Sequence, residues 1–124
     1  MVEITDAEEQ VMQALWRGQP CEARQIAETL AREKGWRRTT VNTLLARLEK
    51  KGAVGVEEGS SPKRYVPLID SAEYGRTQAR RLADQLFGGR IAPLVASFAG
   101  GRKLPPEQLA ELKALVEAMS DDER

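Results

Sequence analysis

Histidine is absent from this chain. That excludes a Ser-His-Asp or Cys-His catalytic site and any metal site built on histidine ligands. Cysteine occurs once, as Cys21, so no intrachain disulfide can form, and such usage suits a reducing cytoplasm. Aromatics are scarce, with two each of Trp, Tyr and Phe, so a core must be assembled from Leu, Val, Ile and Ala. No run of about 18 apolar residues appears, and no membrane span is expected. The N-terminal MVEITDAEEQ is acidic and lacks the apolar segment of a signal peptide. A net charge is missing too, because 19 Lys and Arg balance 19 Asp and Glu over 124 residues. A neutral chain that binds nucleic acid must do so through a local patch. Carboxylates are plentiful, but nothing marks a pair apart from ordinary surface acids, and no metal or cofactor is expected.

Positive charge is nonetheless concentrated in one place. Between Lys34 and Lys51 stand Lys34, Arg37, Arg38, Arg47, Lys50 and Lys51 against the single acid Glu49. The stretch GWRRTTVNTLLARLEKKG, 35–52, reads as a short helix with two unlike faces. Val41, Leu44, Leu45 and Leu48 follow the i, i+3, i+4, i+7 spacing of one apolar stripe. A turn of roughly 100° per residue puts Thr39, Asn42, Thr43, Ala46 and Lys50 on the opposite face. Arg37 and Arg38 stand at its start, Arg47 and Lys51 on its flank. This is the pattern of a recognition helix. Thr39, Asn42, Thr43 and Ala46 are the candidates for base contact, since Asn can bond an adenine edge twice and Thr or Ala can meet a thymine methyl. Arg37, Arg38, Arg47, Lys50, Lys63 and Arg64 are the candidates for phosphate contact, which fixes register without reading sequence. The competing reading is an ordinary solvated face, with Thr39 serving only as a helix cap.

The surrounding chain supplies a setting. Thr5 to Arg17 reads as a first helix, with Thr5 and Glu8 matching a capping box and Val11, Met12, Leu15 and Trp16 facing inward. Gly18 and Pro20 end it, and residues 19–22 can form a very short strand. Glu22 to Lys34 reads as a second helix whose Ala23, Ile26, Ala27 and Leu30 face inward, closed by Gly35. Trp36 fills the turn before the third helix, and Gly52 ends that helix. Two helices with a turn of a few residues between them make a helix-turn-helix. Val54 to Glu58, then GSSPK, then RYVPL form a hairpin with Lys63 and Arg64 at its tip. Beyond Pro67 the spacing predicts helices over 71–87, 91–98 and 106–119, broken at Gly88-Gly89 and at Gly100-Gly101, with a frayed tail SDDER. Three amphipathic helices in about 50 residues cannot bury their apolar faces on one another alone, so a second copy of the chain is expected. Phe87, Ile91, Leu94, Val95, Phe98, Leu109, Leu112, Leu115, Val116 and Met119 are the dimer-interface candidates, the alternative being an intrachain core. The expected fold is mainly α. An N-terminal winged helix-turn-helix of three helices plus a two-stranded wing spans 1–69, and a three-helix dimerisation region spans 70–124.

Several segments, taken in order, resemble the penicillinase-repressor (BlaI/MecI) family of bacterial regulators. They are ITDAEEQVMQALW, GWRRTTVNTLLARLEKKGAV, KRYVPLI, ADQLFGG and LPPEQLAELKALV, which together cover nearly the whole chain. The resemblance implies a cytoplasmic, homodimeric transcriptional repressor that places helix 3 of each protomer in one half of an inverted repeat of double-stranded DNA. It also implies inactivation through a membrane-bound sensor protease, with a cut near Ser97-Phe98. The family's best-known members carry Asn before that Phe where this chain has Ser97. Related copper-responsive repressors carry a Cys-x-Cys motif near the C-terminus, and this chain has no cysteine after Cys21.

Two other classes compete with the DNA-binding reading. A winged helix can serve as a protein-interaction module without a DNA target, and the basic helix and wing argue against that. An enzyme with Cys21 as nucleophile would lack both a histidine and any second catalytic group.

Overall fold

A computed structural model describes residues 2–100 and 103–121. The element order is α1 (Asp6–Gly18), β1 (Cys21–Glu22), α2 (Ala23–Lys34), α3 (Arg38–Lys51), β2 (Val54–Val56), β3 (Arg64–Pro67), α4 (Ser71–Phe87), α5 (Ile91–Ala99) and α6 (Pro106–Asp121). Contacts divide the chain into two compact units, one up to Arg76 and one from Thr77. The sequence division at residue 69 differs from this one by the first turns of α4, which pack with the N-terminal unit.

The N-terminal unit is a three-helix core with a small sheet. Thr5 caps α1: its Oγ1 accepts the Glu8 backbone N–H at 3.1 Å, and Glu8 Oε1 accepts the Thr5 N–H at 2.9 Å. This reciprocal box satisfies two of the amides that a helix start leaves unpaired. The inward stripes meet as their spacing requires. Val11, Met12 and Leu15 from α1, Ile26, Ala27 and Leu30 from α2, and Val41, Leu44, Leu45 and Leu48 from α3 are all buried in one cluster. Burial of each large aliphatic side chain contributes about 1.5–3 kcal/mol. Trp16, Ala23 and Trp36 are half-buried and pack against its edge.

Between α2 and α3 the turn is three residues, Gly35 to Arg37. Gly35 adopts φ +70° and donates its N–H to the Ala31 and Leu30 carbonyls, closing α2. A left-handed cap of this kind favours glycine. The hairpin forms as expected, with Val54 opposite Pro67, Gly55 opposite Val66 and Val56 opposite Tyr65. The sheet is wider than the wing alone, because β1 joins as a third antiparallel strand through Cys21–Tyr65 and Glu22–Arg64, giving the order β1-β3-β2. Tertiary pairing decides this: two residues carry no readable alternation, and β1 exists because β3 offers a free edge.

In the C-terminal unit Ala83 and Leu94 are buried. Gly100 ends α5 with φ +58°, while Gly101 lies outside the described residues. The helix α6 extends through Ser120 and Asp121, two residues past the expected end at 119; the remainder of SDDER, 122–124, lies outside the described residues. Within the described residues no helix is long and apolar enough to cross a membrane.

Candidate nucleic-acid interface

The outward face of α3 is what the periodicity requires. Thr39, Asn42, Thr43 and Ala46 are all exposed, while the four stripe residues between them are buried. Arg37 is the cap residue preceding α3 and makes no side-chain capping bond. Thr39 is therefore the second residue of the helix, with its hydroxyl facing solvent rather than capping. Thr43 Oγ1 donates to the Thr39 carbonyl at 3.0 Å. That bond occupies the only hydroxyl proton, so Thr43 presents a methyl group and an acceptor oxygen outward. Thr39, Thr40, Thr43, Leu44 and Arg47 line one shallow hollow of about 300 Å³ on this face. Thr40 was not singled out from sequence, although its exposure follows from the same helical repeat.

Cations surround the face. Arg37, Arg38, Arg47, Lys50 and Lys63 are exposed. Among the described residues none of them has a carboxylate within 4.0 Å. The fold brings Arg38 at the start of α3 and Lys63 at the wing tip onto one cleft of about 220 Å³, shared with Glu22, Ala23, Arg24, Pro62 and Tyr65. Arg24 also lacked a sequence signal. It lies in the first turn of α2, and its guanidinium is already held by Glu28 at 3.1 Å.

Two basic residues are engaged elsewhere. Arg64 donates through Nη2 to the Pro20 carbonyl at 3.3 Å, with its Nε 4.0 Å from Glu57 Oε1. It thereby ties β3 to the segment before β1. Lys51, counted with the basic stretch by its spacing, leaves the cationic group altogether. Its Nζ donates to Glu8 Oε1 and to the Glu3 carbonyl. Glu8 is 1% exposed and is the one charged residue that is buried among the described residues. Burial opposes ionisation of its carboxyl, but Lys51 and the Thr5 N–H together outweigh burial and hold its pKa below the ordinary range. A charge so buried has to be paired, and Lys51 at the end of α3 is the cation within reach.

Cys21 lies inside the N-terminal core. Its side chain is buried, and that burial pushes the thiol pKa up, with the nearby Arg64 charge opposing it. Among the described residues no cluster of His, Cys, Asp or Glu could hold a metal ion.

A helix-turn-helix with a wing, a short-side-chain face and unpaired cations around it define a winged-helix regulator. The penicillinase repressor family model matches residues 4–118, and the chain belongs to that family, the BlaI/MecI repressors, which are not enzymes. The penicillinase repressor of Bacillus licheniformis is 27% identical over 115 residues, covering 93% of this chain and 90% of that protein. The methicillin resistance regulatory protein MecI of Staphylococcus aureus strain N315 is 25% identical over 114 residues, covering 92% and 93%. Among solved structures, the solution structure of the DNA-binding domain of the repressor BlaI aligns with TM-score 0.52 and 32% identity, over 58% of this chain and 88% of that one. The monomeric form of Bacillus licheniformis BlaI in complex with the blaP half-operator aligns with TM-score 0.51 and 32% identity over the same shares.

Proposed function

We propose that this protein is a DNA-binding repressor that acts as a homodimer on an inverted-repeat operator, each protomer laying α3 in one major groove. The observation that carries the reading is the exposed Thr39, Asn42, Thr43 and Ala46 face with Arg37, Arg38, Arg47, Lys50 and Lys63 around it and without carboxylate partners among the described residues. The short side chains read base edges only if the helix lies deep in the groove, and the cations hold the phosphates on either side. Arg64 belongs to the same phosphate set once its weak 3.3 Å bond to Pro20 is exchanged for a phosphate oxygen. The alignment with an operator-bound relative supports this role.

The dimer rests on apolar surface that one chain leaves uncovered. Ile91, Phe98, Leu109, Leu115, Val116 and Met119 are exposed, Phe98 by 72%. Phe87, Val95 and Leu112 are half-buried beside them, and Leu94 lies inside the chain. A monomer rarely presents this much large apolar surface, so a second copy is the natural cover. One α3 with a few short side chains also reads too little DNA to be selective, and a second half-site supplies the remainder. Operator binding places the protein in the bacterial cytoplasm. Cleavage at Ser97-Phe98 through a membrane-bound sensor protease would remove α6; both residues lie within α5, and Ser97 Oγ donates to the Pro93 carbonyl at 3.0 Å. The cut therefore requires α5 to open first.

Selection of bound fragments from the source genome tests the reading, with sedimentation equilibrium run in parallel. Fragments sharing an inverted repeat, and the mass of two chains, are expected. Fragments without a common motif, or a monomer mass with full affinity, would refute it.

A further inference from the structure

The cleft that Arg38 and Lys63 share is built by the pairing of β1 with β3. That pairing runs through Cys21–Tyr65 and Glu22–Arg64, and α2 begins at the next residue, Ala23, so the start of α2 is held beside the wing. The wing is braced in turn. Ser60 Oγ donates to the Glu57 carbonyl at 2.7 Å and accepts the Arg64 N–H at 3.0 Å, and the Glu57 N–H donates to the Arg64 carbonyl at 2.7 Å. Arg24 from α2, Arg38 from α3, and Lys63 and Tyr65 from the hairpin thereby line one cleft, with Glu22 as its single carboxylate. Arg38 and Lys63 have no carboxylate within 4.0 Å among the described residues. Tyr65 packs against the core, yet no described residue hydrogen-bonds its hydroxyl, which stays open to solvent. Of the four, Arg24 alone is engaged, by Glu28 Oε1 at 3.1 Å, with Glu22 Oε1 4.0 Å away and its side chain still 54% exposed. A guanidinium carries five N–H donors, so Glu28 leaves most of them unused.

We infer that Arg24, Arg38, Lys63 and Tyr65 seat one operator phosphate between α2, α3 and the wing, and that Glu28 competes with that phosphate for Arg24. This rests on the DNA-binding reading above. Three cations against one carboxylate favour an anion in the cleft. Arg38 immediately precedes Thr39, the first residue of the base-facing set, so an anion held on Arg38 lies at the edge of that face. A helix laid in the major groove has a phosphate strand along each side, and the duplex backbone therefore supplies the anion. The Arg24 guanidinium can meet it with two parallel N–H bonds, and the Tyr65 hydroxyl can add a third donor. In the DNA-free chain the Glu28 carboxylate stands where a phosphate oxygen would. As an exposed i, i+4 pair it holds Arg24 weakly, and the exchange lowers operator affinity by about twofold.

The experiment uses the full chain and duplexes carrying its selected half-site, with each phosphate in turn replaced by an uncharged methylphosphonate. One such replacement is expected to weaken the unchanged chain about tenfold and Arg24→Ala by less than about twofold. Arg24→Ala is expected to bind selected and scrambled duplexes alike about tenfold more weakly, and to lower the slope of log affinity against log salt by about one. Tyr65→Phe, which keeps the ring, is expected to lose about threefold. Glu28→Gln is expected to gain about twofold, and nothing once Arg24 is replaced by Ala. A gain that persists without Arg24 would be a long-range charge effect and would overturn the competition. A scan in which no phosphate depends on Arg24 would overturn the site. So would a loss of binding in inorganic phosphate beyond that in chloride of equal ionic strength, which would assign the cleft to a free anion. No duplex binding by the unchanged chain would overturn the DNA-binding reading and this inference with it.

Discussion

Lys51→Met isolates the contact that fastens the recognition helix to the start of α1. The substitution keeps the length of the apolar stem and deletes the ammonium that pairs with Glu8. Glu8 is 1% exposed and would keep its Thr5 N–H partner but lose its countercharge. Breaking a fully buried pair costs about 3–5 kcal/mol. The Lys51 side chain is 33% exposed, so water replaces part of the lost interaction and the expected cost falls to about 2–3 kcal/mol. For a unit of this size that lowers the melting temperature by roughly 10–20 °C. The pH dependence is diagnostic. In the unchanged chain the Glu8 pKa is lowered on folding, so its contribution is fully present above the unfolded carboxylate pKa and is lost as pH falls through the folded one. Without Lys51 its hydrogen bond and charge no longer lower the Glu8 pKa while burial still opposes ionisation, so the folded pKa rises. The gap between the two proteins should therefore be largest near neutral pH and close as pH falls through the carboxylate range. Urea unfolding followed by far-UV circular dichroism at several pH values measures it. A gap below about 0.5 kcal/mol near neutral pH, or one that stays constant into acid, would refute the reasoning.

Three further outcomes follow from the same geometry. Asn42→Ala with Thr43→Ala should reduce discrimination between selected and scrambled half-sites by about tenfold or more, measured by competition binding; intact preference would refute the base-contact assignment. Lys50→Ala should lower the slope of log affinity against log salt by about one, whereas Lys51→Met should leave it unchanged; equal changes would contradict the different engagement of these neighbours. Leu115→Asp puts a charge on the exposed apolar face of α6 and should shift sedimentation to one chain and weaken full-operator binding while sparing half-site binding; a dimer mass at low micromolar concentration would count against that face as the interface.

Much of the molecule could be read from residue order because its signals are local and periodic. The stripes of α1, α2 and α3 appear as i, i+3, i+4 repeats, and their residues form the buried cluster. The Thr5–Glu8 box and the Gly35 and Gly52 stops depend on the backbone within one turn. The polar face of α3 needed nothing more than the helical angle. Tertiary structure alone decided which of the basic residues remain available. Lys50 and Lys51 are adjacent and chemically alike. A step of about 100° leaves Lys50 on the open face and turns Lys51 toward α1, where a buried Glu8 required a cation that sequence position could not reveal. The same holds for Arg64, drawn to Pro20 by the pairing of β1 with β3, and for Tyr74, which meets Glu9 across 65 positions. Local periodicity determined which faces exist. Long-range packing decided which charges those faces keep, because a buried carboxylate and an unfilled strand edge take their partners from whatever the fold brings near.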